Sequence, residues 1–240
     1  MSLQAKRSNL LFRTQRKISP QLNPPISMQL PEKVIESRYD YNKIIPWFRR
    51  KASKFIGKEY IISESEKAII FALLAWMLKD DLVAKEMNFD LNKGILLSGP
   101  IGCGKTTLFK ILRSCNFPAS KYGIVSTRHI VSEFMQSGYE ILEKYSNGNL
   151  SHDIRTPKSY CFDDLGTETT SKYFGNDCNV MAEILLTRYD LFVEKGIISH
   201  ITTNLSATEI ESQYGNRLRS RMREMFNLFG YEESSGDKRK

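Results

Sequence analysis

The sequence has little of what marks membrane-spanning, secreted or zinc-binding proteins. Its 240 residues include four cysteines and three histidines, and neither set shows a paired or metal-ligand spacing. The longest apolar run, residues 68–78, is about half of a membrane span, and no signal-peptide pattern opens the chain. We therefore expect a cytoplasmic protein with reduced cysteines, no membrane contact and no transition-metal site.

Excess positive charge is absent from most of the chain and concentrated in its first quarter. Residues 1–60 contain 13 Lys/Arg and 4 Asp/Glu, a balance of +9, whereas residues 61–240 contain 22 and 23, a balance of −1. Prolines and the lack of a hydrophobic period predict an extended or disordered arm over residues 1–31. Its charge favours a contact with nucleic acid or an acidic partner, and a solvated tail is the alternative.

In residues 32–57 aromatic residues alternate with cationic ones. This pattern favours a helix that docks its aromatics on the core over aromatics that stack on bases.

The most informative stretch, residues 94–108, combines a strand, a glycine-rich loop and a helix. Residues 95–97 are an apolar run typical of a buried parallel strand, and a helical pattern continues from residue 107. Between them, residues 99–106 fit the pattern G-x-x-x-x-G-K-T of a phosphate-binding loop. A chance glycine-rich turn would not need this strand and helix around it. The chain is therefore predicted to bind a nucleoside triphosphate.

Each position of this loop has an expected role. The glycines let the backbone curl, so that successive N–H groups and the helix N-terminus converge on the phosphates. Lys105 adds a positive charge, and the Thr106 hydroxyl is placed to ligate Mg²⁺. The Cys103 thiolate is expected to be favoured at the helix N-terminus, and a small residue that only fits the loop is the alternative. Tyr60–Ile62 lies where many P-loop ATPases clamp the base. The predicted nucleotide-binding residues are Gly99, Pro100, Ile101, Gly102, Cys103, Gly104, Lys105, Thr106 and Thr107.

Polar side chains end two further strands. An apolar stretch from Tyr160 closes on Asp163 and Asp164, and ligands of open parallel sheets bind at such carboxyl ends. We expect Asp163 to hold Mg²⁺ through water and Asp164 to orient or deprotonate an attacking water, with Glu168 as its substitute. Asn204 ends the next strand and could bond the γ-phosphate or that water. Exposed turn aspartates and an ordinary loop asparagine are the alternatives.

Four arginines lie on one short helix near the end of the chain. Arg217 pairs with Arg221, and Arg219 with Arg223, at a helical spacing of i,i+4. Guanidinium groups this close repel one another unless they meet anions, and a neighbour's γ-phosphate is the favoured anion. A solvated basic helix, or one that touches DNA, is the alternative.

The remaining pattern alternates strands and helices, which implies a parallel sheet with right-handed crossovers. Ser63 and Glu66 form a capping box that opens a helix through about Lys79. The other expected elements are strands at 122–127, 160–164, 197–203 and 225–231, two helices broken near Gly138, and helices at 180–194, after Ser206, and at 216–224.

This order of motifs resembles the AAA+ ATPases, and more narrowly the DnaC/DnaI helicase loaders and the related IstB transposition ATPases. The resemblance covers about residues 59–231. Its most specific parts are residues 162–168, 201–205 and 214–222. It implies an α/β P-loop fold with a parallel five-stranded sheet of order 5-1-4-3-2. No C-terminal helical lid is expected, because about ten residues follow the last strand.

The resemblance also implies a division of the chain and of its site. The expected parts are a basic arm at 1–57, partly disordered and in contact with DNA or a partner, an AAA+ ATPase domain at 58–233, and a charged tail at 234–240. Asn204 matches sensor 1, and Arg221 matches the arginine finger, with Arg217 as its alternative. Arg188-Tyr189 resembles an Arg-Tyr pair of unassigned role, and the helices within 128–156 resemble an insertion that tracks single-stranded DNA.

Three functions follow from these observations as hypotheses. The leading one is an ATP-hydrolysing replication factor that helps to load a hexameric helicase on DNA, single-stranded DNA being favoured, and that assembles with its own copies on ATP or DNA. The second is an IstB-like ATPase that binds duplex DNA and directs a transposase. The third is a P-loop nucleotide kinase, which is disfavoured because no acceptor-site motif is evident.

Overall fold

The computed structural model describes residues 37–147, 158–168, 171–173, 176–231 and 237–238. The strands are β1 (Gly94–Ser98), β2 (Gly123–Ser126), β3 (Tyr160–Leu165), β4 (Ser171–Tyr173), β5 (Asn176–Cys178), β6 (Ser199–Thr203) and β7 (Phe226–Gly230). The helices are α1 (Tyr41–Ile56), α2 (Glu64–Leu78), α3 (Asp81–Glu86), α4 (Lys105–Ser114), α5 (Thr127–Ser137), α6 (Tyr139–Ser146), α7 (Val180–Lys195), α8 (Ala207–Tyr214) and α9 (Asn216–Met225).

Five parallel strands form the main sheet in the order β2-β3-β6-β1-β7. Numbered along the chain, these strands give the predicted order 5-1-4-3-2 read from the other edge, so the predicted fold class is confirmed. Leu96 in β1 lies beside Ile201 of β6 and Leu228 of β7. The carboxyl ends of β1, β3 and β6 therefore lie side by side at one edge of the sheet. The predicted absence of a helical lid concerns residues 232–240. Of these the structure describes residues 237–238, so the absence of a lid stays a prediction.

The sheet separates two apolar layers. In β1, Ile95 and Leu97 face a cluster built from α1, α2 and α4, whereas Leu96 faces a second cluster built from α5 to α9. Side chains of successive strand residues point to opposite faces, so a strand covered on both sides needs an unbroken apolar run. This is why residues 95–97 are apolar without alternation.

Helix α2 begins as the capping box predicts. Ser63 N donates to the Glu66 carboxylate at 3.1 Å, and Ser63 is the N-cap residue. The helix then carries the longest apolar run of the chain and is buried on nearly all sides, from Ala68 to Met77. None of the helices within the described ranges has the length and apolarity that a membrane crossing requires.

Helix α1 lies within the predicted basic arm and packs on the first apolar layer. Asp40 caps its start by accepting from Asn42 N, and Phe48 and Ala52 are fully buried. Trp47 is 37% exposed and contacts Phe117. The predicted helix is confirmed, and Phe48 docks on the core as expected, whereas Phe55 is 47% exposed. Residues 1–31 lie outside the described residues, and the domain boundary at residue 57 stays a prediction.

A histidine lies inside the first apolar layer. His200 is 1% exposed and is surrounded by the rings of Trp76, Phe109 and Tyr122. Its Nδ1 accepts a hydrogen bond from Ile95 N at 3.2 Å. Burial lowers the pKa of the imidazole to about 3, with smaller contributions from nearby cations. The side chain is therefore a neutral, structural part of the core.

One helix and one two-stranded sheet were not predicted. Helix α3 has six residues, and the carboxylate of its N-cap residue Asp80 accepts from Val83 N. Strands β4 and β5 form an antiparallel two-stranded sheet inserted between β3 and α7. Both are short, and the strands have no alternation of apolar and polar residues. Their sequences therefore carry no periodic signal long enough to indicate a helix or a strand.

Candidate nucleotide site

The glycine-rich loop joins the end of β1 to the start of α4. Gly104 is the N-cap residue of α4 and has a φ of 95°, in the left-handed region that favours glycine. Gly99 has a φ of 154°, and a Cβ built there would lie 2.7 Å from Tyr231 Cβ. The backbone conformation at Gly104 favours glycine, and the lack of space for a side chain at Gly99 requires it. The loop therefore has the strand–loop–helix geometry that the sequence predicts.

The ammonium of Lys105 is held inside this loop. Its Nζ donates to Gly99 O at 2.8 Å and to Pro100 O at 2.9 Å, and the residue is 6% exposed. Among the described residues no carboxylate forms a salt bridge with it. Neutral carbonyls do not cancel its charge, so that charge remains to attract a phosphate group.

A chain of hydrogen bonds links the loop to the ends of β3 and β6. Thr106 Oγ1 donates to Asp163 Oδ1 at 2.8 Å, and Thr202 Oγ1 donates to the same oxygen at 2.6 Å. Asp163 is 7% exposed, so its carboxylate is nearly buried among these hydroxyls. Hydroxyl and carboxylate oxygens are the ligands that Mg²⁺ prefers, and these residues fit the predicted magnesium site. No cluster of three His, Cys, Asp or Glu side chains able to hold a metal occurs among the residues that the structure describes.

Asp164 lies in an irregular part of β3. The register between β3 and β6 shifts between Phe162 and Leu165, and Asp164 has a φ of 58°, which is uncommon for a residue with a side chain. Asp164 N donates to Thr202 Oγ1 at 2.9 Å, and Asp164 O accepts from Thr127 Oγ1 at 3.0 Å. These bonds hold the bulge, which turns the side chain of Asp164 to the surface while Asp163 stays buried.

Glu168 and Asn204 are placed differently from each other. Glu168 accepts hydrogen bonds from Tyr214 Oη at the end of α8 and from Gly166 N in its own loop, so both of its carboxylate oxygens are engaged. Asn204 follows directly on β6, whose neighbours are β1 and β3, and its side chain is exposed. The structure thus places Asn204 at the same sheet edge as the glycine-rich loop and Asp164.

The four arginines of α9 have separate environments. Arg219 forms an ion pair with Glu211 of α8, so its anion comes from its own chain rather than from a neighbour's nucleotide. The guanidinium of Arg221 lies over the Tyr189 ring, 4.7 Å from its centroid. Arg217 and Arg223 are exposed. The ion pair with Glu211 thus gives Arg219 an anion that the sequence did not indicate, and the assignment of Arg221 or Arg217 as the arginine finger stays a prediction.

The Arg188-Tyr189 pair acquires two roles that the sequence did not indicate. Arg188 is fully buried and donates to Ser199 Oγ, Ser146 O and Ile198 O. Burial lowers its pKa to about 10. It ties α7 to the end of α6 and the start of β6. Tyr189 faces the other way, stacks under Arg221 and donates from its hydroxyl to Glu224 Oε2 at 2.8 Å.

The expectation of a favoured thiolate at Cys103 is wrong. The side chain is fully buried, and desolvation raises the pKa of its thiol above the ordinary value, although Lys105 acts in the opposite direction. Removing the thiolate from water costs more than the nearby ammonium and helix N-terminus recover. Cys103 serves in the loop as a small apolar residue.

Comparisons with known proteins are informative at the level of solved structures. A scan of protein-family models finds no match, and a search of curated proteins finds none either. A crystal structure of the DnaC helicase loader matches with a TM-score of 0.49 and 17% identity, over 72% of this chain and 93% of that one. A crystal structure of DnaI matches with a TM-score of 0.46 and 20% identity, over 72% and 88% respectively.

Structures of a third protein, DnaA, also match. AMPPCP-bound DnaA from Aquifex aeolicus has a TM-score of 0.44 and 18% identity, with 72% of this chain and 48% of that chain covered. Because these identities are low, function is inferred below from the side chains of this chain.

Proposed function

We propose that this protein binds ATP with Mg²⁺, hydrolyses it, and uses the nucleotide to switch its grip on DNA or on a replicative helicase. The observation that carries the proposal is the hydrogen-bond chain from Thr106 through Asp163 to Thr202. It connects the loop that would hold the phosphates to the strand ends that would hold the attacking water. A phosphate-binding loop without such a connection would support binding alone.

The binding residues have complementary tasks. The N–H groups of the loop and of the first turn of α4 would bind the phosphate oxygens, and Lys105 would exchange its carbonyl partners for the phosphates. Thr106 would ligate Mg²⁺ directly, and Asp163 would hold it through water. When bound, Mg²⁺ neutralises part of the phosphate charge. Asp163 is already oriented by two hydroxyl donors, so little rearrangement is needed.

Hydrolysis requires a group that orients water. Asp164 is the candidate because the bulge in β3 presents its carboxylate at the surface, next to the residue that would hold Mg²⁺. A carboxylate at this position could orient a water molecule or accept a proton from it. Asn204, at the neighbouring strand end, would bond the γ-phosphate or the same water. The engaged carboxylate of Glu168 makes it a weaker candidate for this role.

The arginine that acts on the nucleotide would come from another copy of the chain. Arg221 is the leading candidate and Arg217 the alternative. Arg219 is already neutralised by Glu211, whereas Arg221 is held on an aromatic ring that leaves its charge in place. An arginine that stabilises charge in the transition state needs an uncancelled charge and a defined position. We therefore propose an active oligomer in which each site combines two subunits.

The test is to measure ATP hydrolysis without DNA, with single-stranded DNA, with duplex DNA and with small phosphate acceptors. The helicase-loader hypothesis expects the strongest stimulation by single-stranded DNA. Stronger stimulation by duplex DNA would favour the transposition hypothesis, and phosphate transfer to a small acceptor would favour a kinase. If the wild-type chain fails to bind ATP with Mg²⁺, the proposed function is wrong.

A further inference from the structure

Two residues near the end of the chain lie against the glycine-rich loop. We name Asp237 and Lys238 the tail segment. Lys238 N donates to Gly102 O at 3.0 Å, and a Cβ built at Gly104 would lie 3.3 Å from Lys238 Cδ. A Cβ built at Gly102 would lie 2.3 Å from Asp237 Oδ1. Two glycines of the loop thus provide the space in which the tail segment packs.

The ammonium of Lys238 is bound by a buried carboxylate. It forms an ion pair with Glu66 Oε1, and the Glu66 side chain is 2% exposed. The second oxygen of Glu66 accepts from Ser63 N and Ser63 Oγ in the capping box of α2. Removing one partner of such a pair leaves an uncompensated buried charge, which is strongly unfavourable. The contact therefore anchors the tail segment to the start of α2.

The anchored lysine lies beside the segment that the sequence predicts to contact the base. Lys238 Nζ is 5.2 Å from the centroid of the Tyr60 ring, and the aliphatic part of its side chain passes the glycine-rich loop. The Tyr60 ring is 6% exposed, so the surface on which a flat base can pack is the aliphatic stem of the lysine that lies next to that ring. Lys105 already supplies the cation for the phosphates, so Lys238 is better placed for the nucleoside.

The backbone of Lys238 and a bound triphosphate would use different groups of the loop. The backbone hydrogen bond of Lys238 uses the carbonyl oxygen of Gly102, whereas phosphate oxygens bind N–H groups. We propose that the tail segment forms one wall of the nucleotide site and that Lys238, held by Glu66, contacts the nucleoside part of the bound nucleotide. This inference rests on the proposed nucleotide binding and adds to it a binding residue, Lys238, and a positioning residue, Glu66.

The test compares two probes on the full-length protein: a non-hydrolysable ATP analogue and inorganic tripolyphosphate, which lacks the nucleoside. Lys238→Ala is expected to weaken binding of the analogue about fivefold to tenfold, the range of one ordinary polar contact, and to leave tripolyphosphate binding unchanged. Lys238→Arg should retain most of the affinity. Glu66→Gln should reproduce the loss, because the lysine is then no longer held in place.

The matched control is Lys144→Ala. Lys144 has the same side-chain exposure as Lys238, 35%, and is also paired with a glutamate, but it lies on α6. It should bind both probes as the wild type does. Thermal unfolding without nucleotide would show whether Glu66→Gln is folded. If that variant does not fold, Lys238→Ala alone tests whether the tail segment contacts the nucleoside.

Three outcomes would overturn the inference while leaving nucleotide binding intact. Unchanged affinity of Lys238→Ala for the analogue would make the tail segment a passive surface. Tighter binding would make it a competitor of the nucleotide. Equal weakening of both probes would mean that the segment supports the loop rather than contacting the nucleoside. If the wild-type protein binds neither probe, the proposed function itself fails.

Discussion

The glycine-rich loop and the arginine helix α9 are held in place by different kinds of contact. Around the loop, Lys105 and Asp163 are nearly buried and are positioned by hydrogen bonds within the chain. On α9, Arg221 is positioned by stacking on Tyr189, and Arg217 is exposed. The loop is thus complete within one chain, whereas the uncancelled charges of α9 point to an anion supplied from outside. The proposed active site shared between two subunits would need both features: a preorganised loop on one subunit and arginines with uncancelled charge on the other.

The largest expected effect is on the loop. Lys105→Ala should weaken binding of ATP by about 100-fold or more, because it removes the charge that faces the phosphates. Asp164→Asn should bind ATP normally and lose hydrolysis by about 10²-fold to 10⁴-fold, because an amide cannot take up a proton from water. Equilibrium binding and single-turnover hydrolysis separate the two effects.

The control for this pair is Lys110→Ala, which removes an exposed lysine from the same helix α4 and should change neither quantity. Wild-type turnover by Asp164→Asn would move the catalytic assignment to Glu168 or elsewhere.

The next effect concerns α9. Arg221→Ala should bind ATP and lose about 10³-fold in turnover, the lower end for an arginine finger. In the wild type, activity per subunit should rise with protein concentration, most clearly with DNA. A mixture of Arg221→Ala and Asp164→Asn should recover part of the activity, because some interfaces then combine an intact aspartate with an intact arginine. Steady-state turnover of the mixture against each variant alone is the measurement.

Absence of recovery, with both variants shown to assemble on ATP, would contradict an arginine acting between subunits. The helix would then be better explained as a DNA contact. Arg217→Ala, examined in the same mixture, distinguishes the alternative finger.

A smaller effect is expected from the stacking residue. Tyr189→Leu should lower turnover about twofold to fivefold with unchanged ATP affinity, since a partly exposed cation–π contact contributes about 0.5–1 kcal/mol. Tyr189→Phe keeps the ring and should retain most of the turnover, although it loses the hydrogen bond to Glu224. Combining Tyr189→Leu with Arg221→Ala should add no further loss. A full additional loss in the double variant would show that Tyr189 acts independently of the arginine.

The last prediction concerns the stability of the fold rather than the activity of the site. His200 has a pKa lowered to about 3 by burial, so below pH 6.5 the unfolded chain binds a proton that the folded chain does not. The free energy of unfolding should therefore fall as the pH falls, by about 2 kcal/mol between pH 7 and pH 5 from this group. His200→Asn, which keeps an acceptor for Ile95 N, should be less stable at pH 7 and show a shallower dependence on pH.

Denaturant unfolding at several pH values measures this slope. The control is His129→Asn, since the His129 side chain is 64% exposed and should leave the slope unchanged. An equal slope in wild type and His200→Asn would mean that the imidazole is protonated in the folded state.

Much of the fold could be predicted because its signals are local. The capping box at Ser63, the apolar run before Gly99 and the break at Gly138 each depend on neighbouring residues, and the structure confirms the elements that they predict. The approach of Thr106 to Asp163 also followed, because parallel strands place their carboxyl ends at one edge. Helix α3 and the β4–β5 pair were missed because neither has a periodic pattern long enough to indicate a helix or a strand.

The sequence by itself determined the loop geometry and the residue types at the strand ends, since these follow from periodicity and glycine, whereas the strand order was implied by the resemblance of its motifs to a known family. Only the tertiary structure decided how particular side chains are used. Burial, and not proximity to a helix N-terminus, sets the pKa of Cys103. Glu211 removes Arg219 from the candidate arginines, and Glu66 brings Lys238 to the loop across 172 residues of chain. Desolvation and contacts between distant residues depend on the packed chain, so no local pattern could have indicated them.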